Sequence, residues 1–340
     1  MSELRQNLLN GNWSLIAPER REKPRVFGDL LCDSPATPFP TPEHDPACPF
    51  CPDNEEQFPL EIISEIKDGQ GDWITRIISN KFKLFADSHT CSTSGPFKRL
   101  GIYSYCVGCG NHLVVVEGRC HNKPLGEMGL AEVGNTLRCY RDACLLMKAN
   151  PGNRITIMYK NQGVRAGASQ FHAHSQIVGS CVVPNWIRNA MHVQDKYFDD
   201  HGVCALCTVI DYETSVRERI VFETGSVVVM SPYAASAPYE TWIVPKRHFC
   251  CYEEISVVEI AEVALALKKV LGAYIMKLGN PDFNFFIHTA PHLLATVPSL
   301  HLYLQIQPRW AVPGGFETGT RIPVNTVWPE DVPQHLAVEQ

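Results

Sequence analysis

The sequence predicts an α+β fold made of two similar units, each a mainly antiparallel sheet with one long helix packed on a face. Three observations carry this. One order of elements, Cys-x-x-Cys then strand, His, helix, strand and His, runs through the chain twice. Each copy holds one stretch of helical periodicity. The strands are short and β-branched, and they stand before and after that helix instead of alternating with many helices. The units divide the 340 residues into 1–190 and 191–340.

In the first unit, Cys48-Pro49-Phe50-Cys51 follows a Pro-rich loop. A strand near 74–78 and another at 113–117 come next, the second leading to His121. A helix is expected over 125–147, with Pro124 as its N1 proline. A strand near 154–159 precedes the strand that carries His172 and His174. The second unit opens on Cys204-Ala205-Leu206-Cys207, with a strand near 226–230. The run Thr241-Trp242-Ile243-Val244-Pro245 leads to His248. Apolar residues then recur at helical spacing over 255–278, before a strand with His301 and Tyr303. From middle to late histidine is 51 residues in one unit (121 to 172) and 53 in the other (248 to 301).

Composition narrows the function. Hydrophobic content is 45% and charged content 19%, as in ordinary globular chains. A net charge of −6 argues against a surface that coats nucleic acid. No apolar run is long enough to span a membrane, and Met1-Ser2-Glu3-Leu4-Arg5 starts no secretory signal. A cytoplasmic protein is expected. Its 14 cysteines are then expected as thiols, with Cys-x-x-Cys pairs as metal ligands. The repeat completes two Cys₂His₂ zinc sites: Cys48, Cys51, His121 and His172, and Cys204, Cys207, His248 and His301. A third pair, Cys106 and Cys109, has no counterpart in the second unit and reads as a local feature.

The most informative segment is His172-Ala173-His174-Ser175-Gln176. On a strand, His172, His174 and Gln176 would all face one side. Burying three such groups without partners costs about 1–3 kcal/mol each. The lead-in Gly163-Val164-Arg165-Ala166-Gly167-Ala168-Ser169 lets backbone approach a ligand closely. Together these suggest a polar ligand held over a strand.

These motifs resemble the galactose-1-phosphate uridylyltransferase family of the histidine-triad superfamily, with its plant-type ADP-glucose phosphorylase branch. The resemblance runs nearly end to end. It includes Ile16-Ala17-Pro18-Glu19-Arg20, Cys48-Pro49-Phe50-Cys51, Trp73 to Asn80-Lys81-Phe82 and the segment from Asn161 to Gln176. It continues through Trp242 to His248, Phe285 to Thr289, Gly314 to Thr320 and Trp328-Pro329-Glu330-Asp331.

The resemblance implies a nucleotidyltransferase that acts on nucleotide sugars in two steps. His174 would be the nucleophile, forming a nucleotidyl-histidine. Gln176 stands where histidine-triad hydrolases have a third histidine, and would donate to a phosphate oxygen. Asn161 and Ser169 match phosphate-contacting residues, and Asn80 lies in the matched segment. Arg20 and Lys23 match positions near the pyrophosphate. Glu317 matches a residue that binds sugar hydroxyls, with Phe316 where a tyrosine stands in the enteric-type enzyme. Tyr303 replaces the second unit's nucleophile, so one active site per pair of units follows. The implied partners are a nucleotide sugar and a hexose 1-phosphate or phosphate, with a homodimer possible. UDP-glucose with galactose 1-phosphate is the first expectation, as the broader family activity. His-Ala-His-Ser-Gln is nearer to the His-Ser-His-Ser-Gln of the ADP-glucose phosphorylase branch than to His-Pro-His-Pro-Gln, which makes adenylyl transfer to phosphate the alternative. A zinc-stabilised, non-catalytic nucleotide-binding protein is the third reading.

Overall fold

The computed structural model describes residues 1–22, 42–86, 97–292, 297–310 and 312–337. Lys23 lies outside them. The chain opens on a hairpin, β1 (Glu3–Gln6) and β2 (Trp13–Ile16). The first half continues with β3 (Ile62–Lys67), β4 (Trp73–Ser79), β5 (Phe97–Leu100), β6 (Tyr103–Cys106) and β7 (Gly110–Val116). Helix α1 (Leu130–Ala149), β8 (Ile155–Gln162) and β9 (His174–Ser180) complete it.

Two helices, α2 (Asn185–His201) and α3 (Ala205–Val216), lead into the second half. There follow β10 (Ile220–Glu223), β11 (Val227–Met230), β12 (Thr241–Pro245), α4 (Val257–Leu278), β13 (Phe283–His288) and β14 (Tyr303–Pro308). The chain closes with α5 (Gly315–Thr320), β15 (Val324–Asn325) and α6 (Val332–Leu336).

Ten strands form one sheet in the order β10-β11-β12-β14-β13-β8-β9-β7-β4-β3. Every neighbouring pair is antiparallel. The order is a mirror list about the β13–β8 seam, five strands to each side. The duplication in the sequence is therefore a duplication in space, and the two halves share one sheet. Within it, α1 and α4 carry Tyr140, Met147, Val263, Leu267 and Tyr274 onto the same side as Ile77, Val115, Ile177, Phe285 and Leu304. That side is the principal core. The opposite side carries two smaller clusters, one of Leu9, Leu206, Ile210, Val228, Met230 and Trp242 and one of Trp73, Ile78, Val114 and Val116.

Helix α4 begins where the sequence marks it. Ser256 accepts from the Glu259 N–H at 3.2 Å, and the Glu259 carboxylate accepts from the Ser256 N–H at 2.8 Å. This reciprocal cap satisfies two otherwise orphaned donors. Helix α1 begins later than expected. Residues Leu125–Glu127 form a separate 3-10 turn, and Met128 and Gly129 are extended. Glu132 accepts from the Gly129 N–H at 2.7 Å and starts the α-helix at Leu130. Pro124 thus caps the short turn and is not the helix N1 residue.

A small second sheet, β1-β2-β15, ties the chain ends together, with β15 parallel to β2. Glu330 reinforces it by accepting from Arg5 at 2.8 Å and from Arg219 at 2.7 Å. No helix among the described residues is long and apolar enough to cross a membrane.

Candidate active site

Strand β9 begins at His174, so His172 lies in the segment before the strand and not on it. That difference gives the two histidines different surroundings. His172 Nε2 bonds the Gly118 carbonyl at 2.7 Å, which turns Nδ1 toward Cys48 and Cys51 at 3.7 and 3.6 Å. His121 Nδ1 lies 3.4 Å from Cys51 Sγ. Ligand atoms of Cys48, Cys51, His121 and His172 all fall within 4.8 Å of one another, and all four residues are buried.

Cys204, Cys207, His248 and His301 form the same arrangement in the second half. There His301 Nε2 bonds the Pro245 carbonyl at 3.0 Å, as His172 does to Gly118. A backbone carbonyl behind the ring is the usual way of orienting a metal-ligating histidine. Burial pushes the Cys48 thiol up to about 12, a cost that a cation among these thiols would reverse. Two thiols and two imidazoles at this spacing suit a closed tetrahedral metal site.

The third cysteine pair is different. Cys109 is disulfide-bonded, whereas Cys106 is a free thiol. The all-thiol expectation fails at Cys109, and Cys106 and Cys109 are not a two-thiol metal clamp.

His174 is buried at the first position of β9. Its Nδ1 lies 2.9 Å from the His172 carbonyl oxygen, which can only accept, so Nδ1 carries the proton and Nε2 a free lone pair. Burial, and after it the nearby Lys160 ammonium, holds His174 below the ordinary imidazole range. The ring is therefore neutral at pH 7, with a nucleophilic nitrogen. Phe50, inside the first Cys-x-x-Cys, packs against it at 5.3 Å between ring centroids. A cavity of about 110 Å³ opens at this ring, lined by Asn161, Gly163, Ser169, Phe171 and His174. Gly163 and Gly167 have φ of 84° and 82°, and a side chain on Gly163 would collide with Asp282. Glycine is needed there for the loop to pass so close.

Gln176 is held by residues that the sequence reading missed. The Leu84 N–H donates to His112 Nδ1 at 3.3 Å, so His112 Nε2 carries its proton and donates to Gln176 Oε1 at 2.8 Å. Tyr159 donates its hydroxyl to the same oxygen at 2.9 Å. Both donors occupy the amide oxygen, which leaves the Gln176 NH₂ group as a donor without a partner among the described residues. Asn80 adjoins this cluster twice: its N–H donates to the His112 carbonyl at 2.8 Å, and its Nδ2 lies 3.1 Å from His112 Nε2. A polar His112 directly before the β-branched run 113–117 is the one sequence signal for it.

Three expected contact residues stand elsewhere. Arg20 lies in the turn after β2, and Phe316 and Glu317 lie on α5 just before β15, all flanking the small end sheet. Glu317 borders a larger cavity of about 640 Å³, with Trp186, His288 and Tyr303, lined from both halves. None of the three lines the cavity at His174.

No protein-family model matches the chain. Its relatives are nonetheless clear. It is 31% identical over 332 residues to ADP-glucose phosphorylase of Arabidopsis thaliana, covering 97% of this chain and 91% of that one. It is 26% identical over 350 residues to galactose-1-phosphate uridylyltransferase of Thermotoga maritima, covering 99% and 98%. The crystal structure of an Arabidopsis thaliana ADP-glucose phosphorylase with bound ADP-glucose superposes with a TM-score of 0.83 at 28% identity, over 100% of this chain and 99% of that one. The chain belongs to the galactose-1-phosphate uridylyltransferase family of the histidine-triad superfamily, the nucleotidyltransferase family that also contains ADP-glucose phosphorylase.

Proposed function

We propose that this chain transfers the nucleotidyl group of a nucleotide sugar through a covalent intermediate on His174, with ADP-glucose as donor and inorganic phosphate as acceptor. The observation that carries the mechanism is the free Nε2 of a neutral, buried His174 whose Nδ1–H is fixed on the His172 carbonyl. In the first step Nε2 attacks the α-phosphorus. The bond from that phosphorus to the bridging oxygen breaks, and glucose 1-phosphate leaves. In the second step a phosphate oxygen attacks the same phosphorus, the N–P bond breaks, ADP departs and His174 returns to its neutral form. No hydroxyl has to be deprotonated, so no general base is required. The free NH₂ of Gln176, with Ser169 and Asn161, donates to the charge that builds on the phosphate oxygens.

The choice of adenosine rests on likeness. The relative that is 31% identical across 97% of this chain is an ADP-glucose phosphorylase, and His-Ala-His-Ser-Gln is nearer to the motif of that branch than to His-Pro-His-Pro-Gln. The second reading, UDP-glucose with galactose 1-phosphate, is supported by the 26% identity to a uridylyltransferase of matching length. Both Cys₂His₂ clusters are proposed to hold zinc. A four-ligand site has no open position, so its contribution is structural: it holds the loops that present Phe50 and His172 beside the nucleophile. A second copy of the chain is proposed to bring Arg20, Lys23, Phe316 and Glu317 to the sugar phosphate, since within one chain the three that are described stand apart from His174.

The deciding experiment incubates purified protein with ADP-glucose or UDP-glucose, each with phosphate or galactose 1-phosphate. Release of glucose 1-phosphate from ADP-glucose in the presence of phosphate is the expected result. Turnover confined to UDP-glucose with galactose 1-phosphate would reverse the choice of nucleotide. Label trapped on no residue with either donor would leave a non-catalytic binding protein.

A further inference from the structure

Two full charges lie inside the principal core. Lys160 and Glu117 are 1% and 0% exposed, and their Nζ and Oε2 atoms are 2.8 Å apart. Alternation along β8 sends Tyr159 to the ligand side of the sheet and Lys160 to the side covered by α1. Desolvating such a pair is expensive, and apolar residues of similar volume often serve stability as well or better.

The chain itself supplies that comparison. Register pairs Gln176 with Val114 and Tyr159, and pairs Gln305 with Trp242 and Phe286. On that correspondence, Ser175, Lys160 and Glu117 of the first half match Leu304, Ile287 and Pro245 of the second. Leu304 and Ile287 are buried core residues. The same place in the same fold is thus filled by hydrocarbon where no nucleophile is carried, and by an ion pair where one is.

What the pair touches explains the difference. Pairing between β8 and β9 ends at Tyr159 with Gln176, and Lys160 Nζ reaches past that last pair to the His174 carbonyl at 3.1 Å. The Glu117 N–H donates to the Ala173 carbonyl at 3.1 Å. The Glu117 carboxylate accepts the Ser175 hydroxyl, and Tyr140 lies 3.3 Å from the same oxygen. Three successive residues, 173 to 175, are gripped from behind at the point where β9 has just begun.

We propose that Lys160 and Glu117 are positioning residues, a buried ion pair that fixes the main chain of the nucleophile through the His174 carbonyl and the Ser175 hydroxyl. A reacting nitrogen misplaced by about 1 Å loses on the order of 100-fold in rate. The end of a strand is too loosely held to guarantee that placement, and a second set of bonds supplies the missing rigidity.

The inference rests on His174 as the nucleophile. Its test uses the whole chain with both charges replaced together, Lys160→Met with Glu117→Leu, so that no lone charge is left buried. The readouts are thermal midpoint, metal content, KM for the nucleotide sugar and the single-turnover rate of label transfer to His174. The expected result is an unfolding midpoint at or above that of the parent, unchanged metal, KM within about two-fold and a rate lower by about 100-fold. A folded double variant that labels at the parental rate would overturn the proposal.

If the double variant does not fold, Tyr140→Phe with Ser175→Ala removes only the hydroxyls around Glu117. It should slow labelling by about ten-fold at unchanged KM, the scale of one hydrogen bond. A parental rate there would count equally against the idea. Absence of label in the parent chain would instead sink the reading of His174, which keeps the two failures distinct.

Discussion

Gln176 and Gln305 occupy matching places on either side of the β8–β13 seam, yet among the described residues the amide NH₂ of Gln305 has a partner and that of Gln176 has none. In the first half, His112 and Tyr159 both donate to Gln176 Oε1. In the second, His288 lies 2.9 Å from Gln305 Oε1, but Gln305 Nε2 donates to Glu240 at 2.7 Å. A glutamine whose N–H already serves a carboxylate is poorly placed to serve a phosphate. The asymmetry agrees with Tyr303 standing where the second half would need its histidine, and it accords with the proposal of a single nucleophile, His174.

For Gln176→His, transfer to the acceptor should slow by about two orders of magnitude, the scale of one lost oxyanion donor. A histidine there can also protonate or position water. The share of intermediate lost as nucleoside monophosphate should therefore rise. The ratio of monophosphate to transferred product at saturating acceptor measures this, and an unchanged ratio at an unchanged rate would reduce Gln176 to packing.

His174→Gly should abolish label transfer while leaving fold and metal content intact, because His174 makes no contact that either cluster needs. Circular dichroism, metal analysis and a labelling assay together check it. More than a few per cent residual labelling would contradict the nucleophile assignment.

Two equivalents of zinc per chain are expected from the two Cys₂His₂ clusters. Cys48→Ser and Cys204→Ser should each lose one and lower the thermal midpoint. Cys48→Ser should harm catalysis more, since His172 of its cluster holds the hydrogen bond that orients His174. Elemental analysis beside steady-state rates tests both points, and equal damage from the two variants would disconnect the metal from the nucleophile.

If a second copy completes the site, two defective chains should rescue each other. His174→Gly and Glu317→Ala, each weak alone, are expected to regain up to about a quarter of parental activity when mixed and allowed to exchange, because one pairing in a mixed dimer rebuilds an intact site. No gain after verified subunit exchange would count against a site shared between two chains.

Glu259 supplies a pH-dependent contribution to stability. Its hydrogen bonds to Arg247, at 2.8 and 2.9 Å, and to the Ser256 N–H hold its carboxyl down at about 2. A carboxylate lowered in the folded state stabilises fully above its unfolded pKa and loses that contribution as pH falls through the folded one. Glu259→Gln should cost about 1 kcal/mol at pH 7, the scale of a helix cap. The gap to the parent should narrow from about pH 4.5 downward and close near pH 2. Urea titrations across that range measure it, and a constant gap would exclude the charge as its source.

Much of this protein is legible in one dimension because its determinants are local or repeated. Periodicity marks α4 and its Ser256–Glu259 cap. The doubled order of ligands marks both Cys₂His₂ clusters, since a closed metal site needs fixed residue types and tolerates almost any path between them. The Gly163-to-Ser169 loop declares close backbone approach through its glycines. Other features depend on which strand lies beside which. His112 and Tyr159 join Gln176 only because β7 and β8 flank β9, and nothing in either strand's own sequence says so. Lys160 and Glu117 look like surface charges until sheet alternation turns both toward α1. The start of β9 at His174, which leaves His172 among the Cys/His cluster and His174 on the strand, is set by where pairing to β7 begins. Arg20 and Glu317 belong together through the small end sheet, away from the nucleophile. Sequence alone determined the chemistry available to this chain, because residue type and spacing carry that information. Tertiary structure alone decided which atoms are left free to react, because that depends on partners supplied by distant strands.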